Sequence, residues 1–144
     1  MEENCIICQQ YRRVVFYAVF AGKPLEKALF VSPVLDMECL IRRMMQWASV
    51  SEEDLEKAGI IQTSFGETLS WEYYCYARNH PICHWEIPTD ILYADQDHLT
   101  ERSAADSFAE RYHCRLTVME NGEHWFHTPE QLAVLREWMQ NSLI

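Results

Sequence analysis

The stretch that decides the fold is residues 87–97, Ile-Pro-Thr-Asp-Ile-Leu-Tyr-Ala-Asp-Gln-Asp. Its apolar centre is typical of a strand that is covered on both faces. The acidic residue Asp97 follows the end of this predicted strand. A second candidate strand, Cys114–Met119, is followed by the turn Gly122-Glu-His124-Trp-Phe. Because ligands and catalytic groups of parallel sheets collect beyond the carboxyl ends of the strands, we expect Asp97 and His124 to share one edge of a sheet.

Strands alternate with helices on either side of this stretch. Residues 28–35, Ala-Leu-Phe-Val-Ser-Pro-Val-Leu, predict a further buried strand, and Thr100 is a candidate cap for a helix running to about Tyr112. The sequence Thr128-Pro-Glu-Gln131 predicts a capping box with proline at the first helical position of another helix. A parallel neighbour is reached only by a crossover, so the pattern predicts an α/β fold with about three parallel strands and flanking helices.

Residues 36–86 break this alternation and predict a helical insertion. Met37 to Met45 carry apolar residues on one helical face, Ser51–Asp54 is typical of a second helix start with Gly59 as its stop, and residues 70–78 predict a third helix rich in aromatic residues. A methionine and aromatic stripe of this kind serves either core packing or a lid over a substrate. We expect one domain over residues 1–144 with this cap inserted between two strands of its sheet.

Composition narrows the class of protein. The 144 residues are 49% hydrophobic, enough for one real core, and 22 acidic against 12 basic side chains give a net charge of −10. Such a charge disfavours binding to nucleic acid and to anionic membranes. The first residues are acidic where a secretory signal would be basic, and no apolar run approaches the roughly 20 residues that span a bilayer, so we expect a cytoplasmic location.

Two cysteine and histidine motifs are candidates for redox or metal sites. The six cysteines are expected to be reduced, and Cys5-Ile-Ile-Cys8 has the spacing of redox and zinc sites without their usual context. The group His80-Pro-Ile-Cys83-His84, with His98 as a further candidate ligand, lacks a clear fourth ligand. We therefore favour loop packing for the His80–His84 group, the missing context disfavours a redox or zinc role for Cys5 and Cys8, and we expect neither a metal nor a cofactor.

The motifs taken together resemble the C-terminal part of an α/β-hydrolase, over about residues 17–144. The resemblance rests on Leu29-Phe-Val-Ser-Pro-Val-Leu-Asp36 as the strand after the nucleophile helix, on the helical cap, on the acid strand 88–97 and on the histidine turn 122–126. It implies a partial α/β-hydrolase fold and a Ser-His-Asp triad in which Asp97 is the acid and His124 the base. Asp95 and His127 are the alternative acid and base.

The chain departs from that family at the nucleophile. The family places its serine in Gly-x-Ser-x-Gly, whereas none of the four glycines, at 22, 59, 66 and 122, flanks a serine in this way. Ser32 precedes Pro33 at a strand end and is a poor candidate for the nucleophile. The oxyanion loop and the first strands of the family's sheet are absent as well. We therefore expect a truncated or frameshifted hydrolase that is inactive alone, with its upstream half lost or encoded elsewhere.

This expectation has a structural consequence and a functional alternative. The strand at 28–35 would have an unpaired edge, which Val14–Phe20 is predicted to cover; otherwise another copy or the missing half would pair there. The resemblance implies a serine-hydrolase-like fragment, esterase-like or peptidase-like, whose parent family acts on small-molecule esters or peptides. The alternative is a non-enzymatic module that binds a ligand or a partner through the aromatic surface of the cap.

Overall fold

The computed structural model describes the backbone of residues 5–9 and the complete residues 24–144. The elements in chain order are β1 (Cys5–Gln9), β2 (Lys27–Val31), α1 (Met37–Trp47), α2 (Glu52–Ala58), β3 (Ile60–Gln62), β4 (Thr68–Ser70), α3 (Trp71–Asn79), β5 (Thr89–Ala94), α4 (Arg102–Tyr112), β6 (Arg115–Met119) and α5 (Pro129–Ser142). Among these, no helix is long and apolar enough to cross a bilayer.

The main sheet is parallel, with strand order β1-β2-β5-β6. Its last three strands are the predicted ones, so the predicted partial α/β-hydrolase architecture is confirmed. The fourth strand, β1, was not predicted: Cys5–Gln9 occupies the edge of β2 that we had assigned to Val14–Phe20. Residues 14–20 themselves lie outside the described part of the chain. A short apolar stretch can pair with an exposed parallel edge without any longer sequence signal, which explains the difference.

Both faces of the sheet are covered by helices of the same unit. One face packs on α5 through a core of buried side chains, which comprises Leu29, Val31, Leu92, Ala94, Met119, Phe126 and Trp138. On the other face Phe30 contacts Trp85 and Phe108, with ring centroids 5.4 and 6.4 Å apart. Every residue of β5 is buried. This two-sided burial is what the unbroken apolar runs predict for strands in a parallel sheet.

The chain divides into two compact units. The first comprises the residues up to Leu35 together with His84–Ile144, and the second comprises Asp36–Cys83, close to the predicted insertion of residues 36–86. The three predicted helices of the second unit are present, and it also contains an antiparallel hairpin of β3 and β4. That the whole chain is a single domain stays a prediction.

A tyrosine organises the second unit. Tyr74 on α3 is fully buried and donates a hydrogen bond from its hydroxyl to Glu52 (2.8 Å). The guanidinium groups of Arg42 and Arg78 lie 5.5 and 5.3 Å from the centre of its ring, and Glu52 forms ion pairs with both arginines. Burial and the bond to Glu52 raise the pKa of Tyr74. At least this part of the aromatic stripe therefore serves packing.

Two predicted boundaries and one predicted capping box differ from the structure. The strand predicted over residues 28–35 ends at Val31, because Ser32 adopts a positive φ of 43°. Helix α4 begins after Glu101, which makes no side-chain cap, so the prediction that Thr100 caps it was wrong. Thr128 does cap α5 by accepting from the Gln131 amide, but the side chain of Gln131 accepts from His127 instead of completing the reciprocal box.

Candidate active site

Two loops meet beyond the carboxyl ends of β5 and β6. The Asp95 amide donates to the Met119 carbonyl (3.2 Å), and the Gln96 amide donates to the Gly122 carbonyl (2.9 Å). These two bonds extend the pairing of the strands past their ends. The loop that carries Asp97 is thereby held against the loop that carries His124, although the two residues are 27 positions apart in sequence.

Asp97 and His124 form a buried hydrogen-bonded pair. The distance from His124 Nδ1 to Asp97 Oδ2 is 2.7 Å, and the two side chains are 7% and 0% exposed. An ionised carboxylate only accepts hydrogen bonds, so the shared proton belongs to Nδ1. The pair therefore fixes the imidazole in the tautomer whose other nitrogen, Nε2, carries the basic lone pair.

The other oxygen of Asp97 is held by the backbone that follows it. Oδ1 accepts from the amides of Leu99 (2.7 Å) and Thr100 (3.1 Å). An aspartate often bonds to its own backbone two residues on, since its short side chain reaches these amides. With Oδ1 engaged by two donors, the carboxylate cannot rotate freely and Oδ2 stays directed at His124.

The second nitrogen of His124 is available for chemistry. Nε2 is buried, and no hydrogen-bond partner for it exists among the residues that the structure describes. Buried polar atoms are nearly always hydrogen-bonded, so a buried ring nitrogen of this kind is typical of a site that receives another group. A hydroxyl in hydrogen-bond contact with Nε2 could be deprotonated by it, as in a nucleophilic triad.

The alternative acid and base do not form a comparable pair. Asp95 is exposed. The side chain of His127 is 64% exposed; its Nδ1 lies 2.8 Å from the Trp125 carbonyl and 3.3 Å from the carboxylate of Glu123. Asp97 and His124 are thus the acid and histidine that the structure brings together.

Trp125 lies beside the histidine. Its indole meets the His124 ring edge-on, with centroids 5.6 Å apart, and the side chain is 51% exposed between two buried neighbours. The preceding Gly122 is also constrained, because a Cβ there would come within 3.0 Å of the Met119 side chain. Close packing therefore supports the turn on which His124 stands.

Ser32 is not placed on a strand-to-helix elbow. It is fully buried directly after β2, has a positive φ of 43° and is followed by Pro33. The next helix, α1, begins only at Met37. A nucleophile elbow needs a tight turn from strand directly into helix with the hydroxyl exposed, and this segment provides neither.

The described residues contain no group of three or more histidine, cysteine, aspartate or glutamate side chains that could hold a metal. Within the motif weighed above, His80 Nδ1 contacts the Tyr76 carbonyl and His84 lies 3.5 Å from Glu86. Cys39, Cys75, Cys83 and Cys114 are free thiols. Burial and the neighbouring charge of Asp90 raise the pKa of Cys114 to about 11, which makes it a poor nucleophile.

Comparison with solved structures identifies the fold. The chain is similar to Est1E from Butyrivibrio proteoclasticus (TM-score 0.64, 17% identity, 90% of this chain and 56% of that one). It is also similar to the mouse alpha/beta hydrolase domain-containing protein 10 (TM-score 0.70, 11% identity, 96% of this chain and 61% of that one). Est1E has also been solved with ferulic acid bound, and that structure matches with a TM-score of 0.58, 18% identity, and 83% and 50% coverage.

The chain therefore has the α/β-hydrolase fold, as its motifs predict, over the part of the fold that it spans. It covers less than two thirds of the length of these structures. No family model matches the sequence, and no curated protein matches it.

Proposed function

We propose that Asp97 and His124 are the acid and the general base of a serine-hydrolase triad. The observation that carries the proposal is the bond of 2.7 Å between Nδ1 and Oδ2 of two buried side chains, with Nε2 left for another group. In this arrangement the imidazole takes a proton from a hydroxyl nucleophile and later returns it to the leaving group, while the carboxylate stabilises the imidazolium. The reaction class is acyl transfer to water, and the substrate class is a small-molecule ester or a peptide.

The nucleophile of this triad comes from outside the sequence in hand. No Gly-x-Ser-x-Gly motif occurs in it, and Ser32 is buried in a turn that leads to Pro33. Without the elbow and its neighbouring amides, the reaction lacks both the attacking oxygen and the donors that stabilise the tetrahedral oxyanion. Each such donor is worth about 3 to 4 kcal/mol. The isolated chain is therefore inactive as a hydrolase.

The missing group would arrive along the edge of β1. Within the described residues β1 is paired only with β2, so its other edge has backbone groups available for another strand. The matched solved structures contain considerably more chain than this one. We propose that a polypeptide carrying the remaining strands and the Gly-x-Ser-x-Gly motif enters at this side of the sheet and replaces β1 as the neighbour of β2, which is the place of the strand before the nucleophile in the family.

Labelling with a fluorophosphonate probe tests the absence of a nucleophile. We expect no labelling of the purified chain at concentrations that fully label a known serine esterase. A His124→Ala variant serves as the matched control, since a genuine triad serine would lose its reactivity in it. Stoichiometric, His124-dependent labelling of any serine in the wild-type chain would refute our assignment.

The upstream DNA and the solution mass test the partner. We expect the adjacent reading frames to encode a Gly-x-Ser-x-Gly segment, and we expect added polypeptide from that segment to form a complex with this chain. Light scattering that shows a stable homodimer unable to bind the segment would instead make a second copy the occupant of the edge.

A further inference from the structure

Thr100 is used differently from its predicted role. It was expected to cap α4, yet its side chain lies 4% exposed and makes no bond to that helix. The hydroxyl donates instead to the carbonyl of Pro33, at 2.7 Å, from a position 67 residues away in sequence. Thr100 therefore connects the loop after β5 to the segment after β2.

Three polar groups of Thr100 are engaged at once. Its amide donates to Asp97 Oδ1 (3.1 Å), its hydroxyl donates to Pro33, and its carbonyl accepts from the Tyr93 hydroxyl (2.9 Å). Tyr93 belongs to β5 and is itself buried. The residue that donates to the acid is thus anchored both to β5 and to the segment that follows β2.

This anchoring matters for the geometry of the acid. The carboxylate of Asp97 can turn about its terminal torsion, which is broad in aspartate, unless its oxygens are restrained. Among the described residues Oδ1 is held by the amides of Leu99 and Thr100, and both belong to a loop with little regular structure. The hydroxyl bond to Pro33 is the side-chain contact that holds this loop in register with β2.

We propose that Thr100 is a positioning residue, which keeps Asp97 Oδ2 aimed at His124 by tying the acid loop to the end of β2. The inference rests on the proposed function, because it assumes that the Asp97–His124 pair is the catalytic acid and base. Thr100 touches neither the substrate nor the reacting atoms in this account. It acts through the carboxylate, and a displacement of about 1 Å at such a distance from the chemistry can cost about 100-fold in rate.

The tautomer of His124 is a readout that works without hydrolytic activity. In alkaline buffer the neutral ring carries its proton on Nδ1 or on Nε2, and nitrogen-15 NMR distinguishes the two. We expect the Nδ1–H form to dominate in the wild-type chain. Asp97→Asn should abolish that dominance and defines the signal of a ring without its acceptor; a His124→Gln variant assigns the resonance.

Thr100→Val keeps the shape and the amide but removes the hydroxyl donor. We expect the ratio of Nδ1–H to Nε2–H to fall at least threefold, with Thr100→Ser restoring the wild-type ratio. Thr89→Val is the matched control, since Thr89 is equally buried and its hydroxyl donates to the Ile87 carbonyl at the opposite end of β5. Thr89→Val should lower the melting temperature while leaving the His124 ratio unchanged.

The possible outcomes separate the two proposals. If Asp97→Asn changes the ratio but Thr100→Val does not, Thr100 is structural and the inference is overturned while the proposed dyad stands. If Asp97→Asn also leaves the ratio unchanged, the dyad itself fails. Should Thr100→Val not fold, Thr100→Ala decides in its place, since it also removes the hydroxyl that bonds to Pro33: a changed ratio supports the positioning role, and an unchanged ratio overturns it.

Discussion

Two aspartates with buried side chains lie at the two ends of β5: Asp90 is near its start, and Asp97 follows its end. The two carboxylates have different kinds of partner. Asp90 forms an ion pair with Lys27 (3.1 Å) and accepts a hydrogen bond from Arg115; both cations also bond to Ser142. Within the part of the chain that the structure describes, Asp97 has no cationic partner, and its Oδ2 is paired with the imidazole of His124. Both carboxylates are at least 90% buried, so burial alone does not distinguish them.

The two acids differ in whether their partners retain an atom that is not yet hydrogen-bonded. The partners of Asp90 reach other groups of the same cluster, so that charge is neutralised and the end of α5 is held to the sheet. The partner of Asp97 keeps a buried nitrogen that has no hydrogen-bond partner among the described residues. We infer that a carboxylate whose partners are all bonded within one cluster is structural. A carboxylate whose partner retains an unused basic atom belongs instead to a chemical site.

The largest effect on stability is expected for substitution of Asp90. Asp90→Asn leaves Lys27 and Arg115 without their carboxylate, and we expect the free energy of unfolding to fall by about 2 to 3 kcal/mol. The value lies at the lower end for a buried pair because both cations are partly exposed. Urea denaturation near pH 7 measures the loss. Asp95→Asn, an exposed acid, is the control and should change stability by less than about 0.5 kcal/mol.

The same variant gives a pH test. Burial raises the pKa of Asp90. The hydrogen bonds from Arg115, Lys27 and Ser142 together lower it by more, so the pKa of Asp90 in the folded chain lies below its usual range. The unfolded chain therefore binds this proton more readily, with a pKa of about 3.9. The contribution of Asp90 is complete above that pH and is lost as the pH falls through the folded value. The gap between wild type and Asp90→Asn should close on acidification, and a gap that stays constant would contradict the assigned pairing.

A smaller effect is expected where the two site loops meet. Gly122→Ala would place a Cβ 3.0 Å from the buried Met119 side chain, so we expect a loss of about 1 to 2 kcal/mol from overpacking. In a Met119→Ala background the two contacts at 3.0 Å, with Cγ and Sδ, are removed while the contact with Cβ at 3.1 Å remains, and the same substitution should cost about 1 kcal/mol less. Denaturation of the four chains forms a double-mutant cycle. If the effects of the two substitutions on unfolding free energy are strictly additive, the contact with the Met119 side chain is not the cause of the loss in Gly122→Ala.

The parts of the sheet and of the site were not equally predictable from the sequence. That Asp97 and His124 meet at one edge of the sheet could be predicted, because each lies in the loop after an apolar strand and the order of these motifs along the chain is visible in the sequence. Thr100 was misassigned because a threonine before a helix is equally suited to cap it, and its actual acceptor, Pro33, is distant in sequence. The strand Cys5–Gln9 was missed for a similar reason, since its partner is chosen by tertiary pairing and its own pattern is short.

Apart from the Asp95→Asn control, the smallest change in stability is expected for Asp97→Asn, and it is the variant that decides whether the comparison holds. An asparagine oxygen can still accept from the amides of Leu99 and Thr100, and removing a buried charge that no cation neutralises offsets the weaker bond to His124. We expect a change in unfolding free energy of under about 1 kcal/mol, in either direction. The asparagine NH₂ would then face Nδ1 as a donor, so the imidazole proton moves to Nε2 and the ring loses its ability to act as a base there.

Asp90→Asn should show the reverse combination, with stability lost and the His124 tautomer retained. Denaturation and nitrogen-15 NMR on the same two samples measure both properties. If Asp97→Asn instead costs as much stability as Asp90→Asn, Asp97 is an anchor like its counterpart, and the unused nitrogen of His124 no longer separates a chemical site from a structural one.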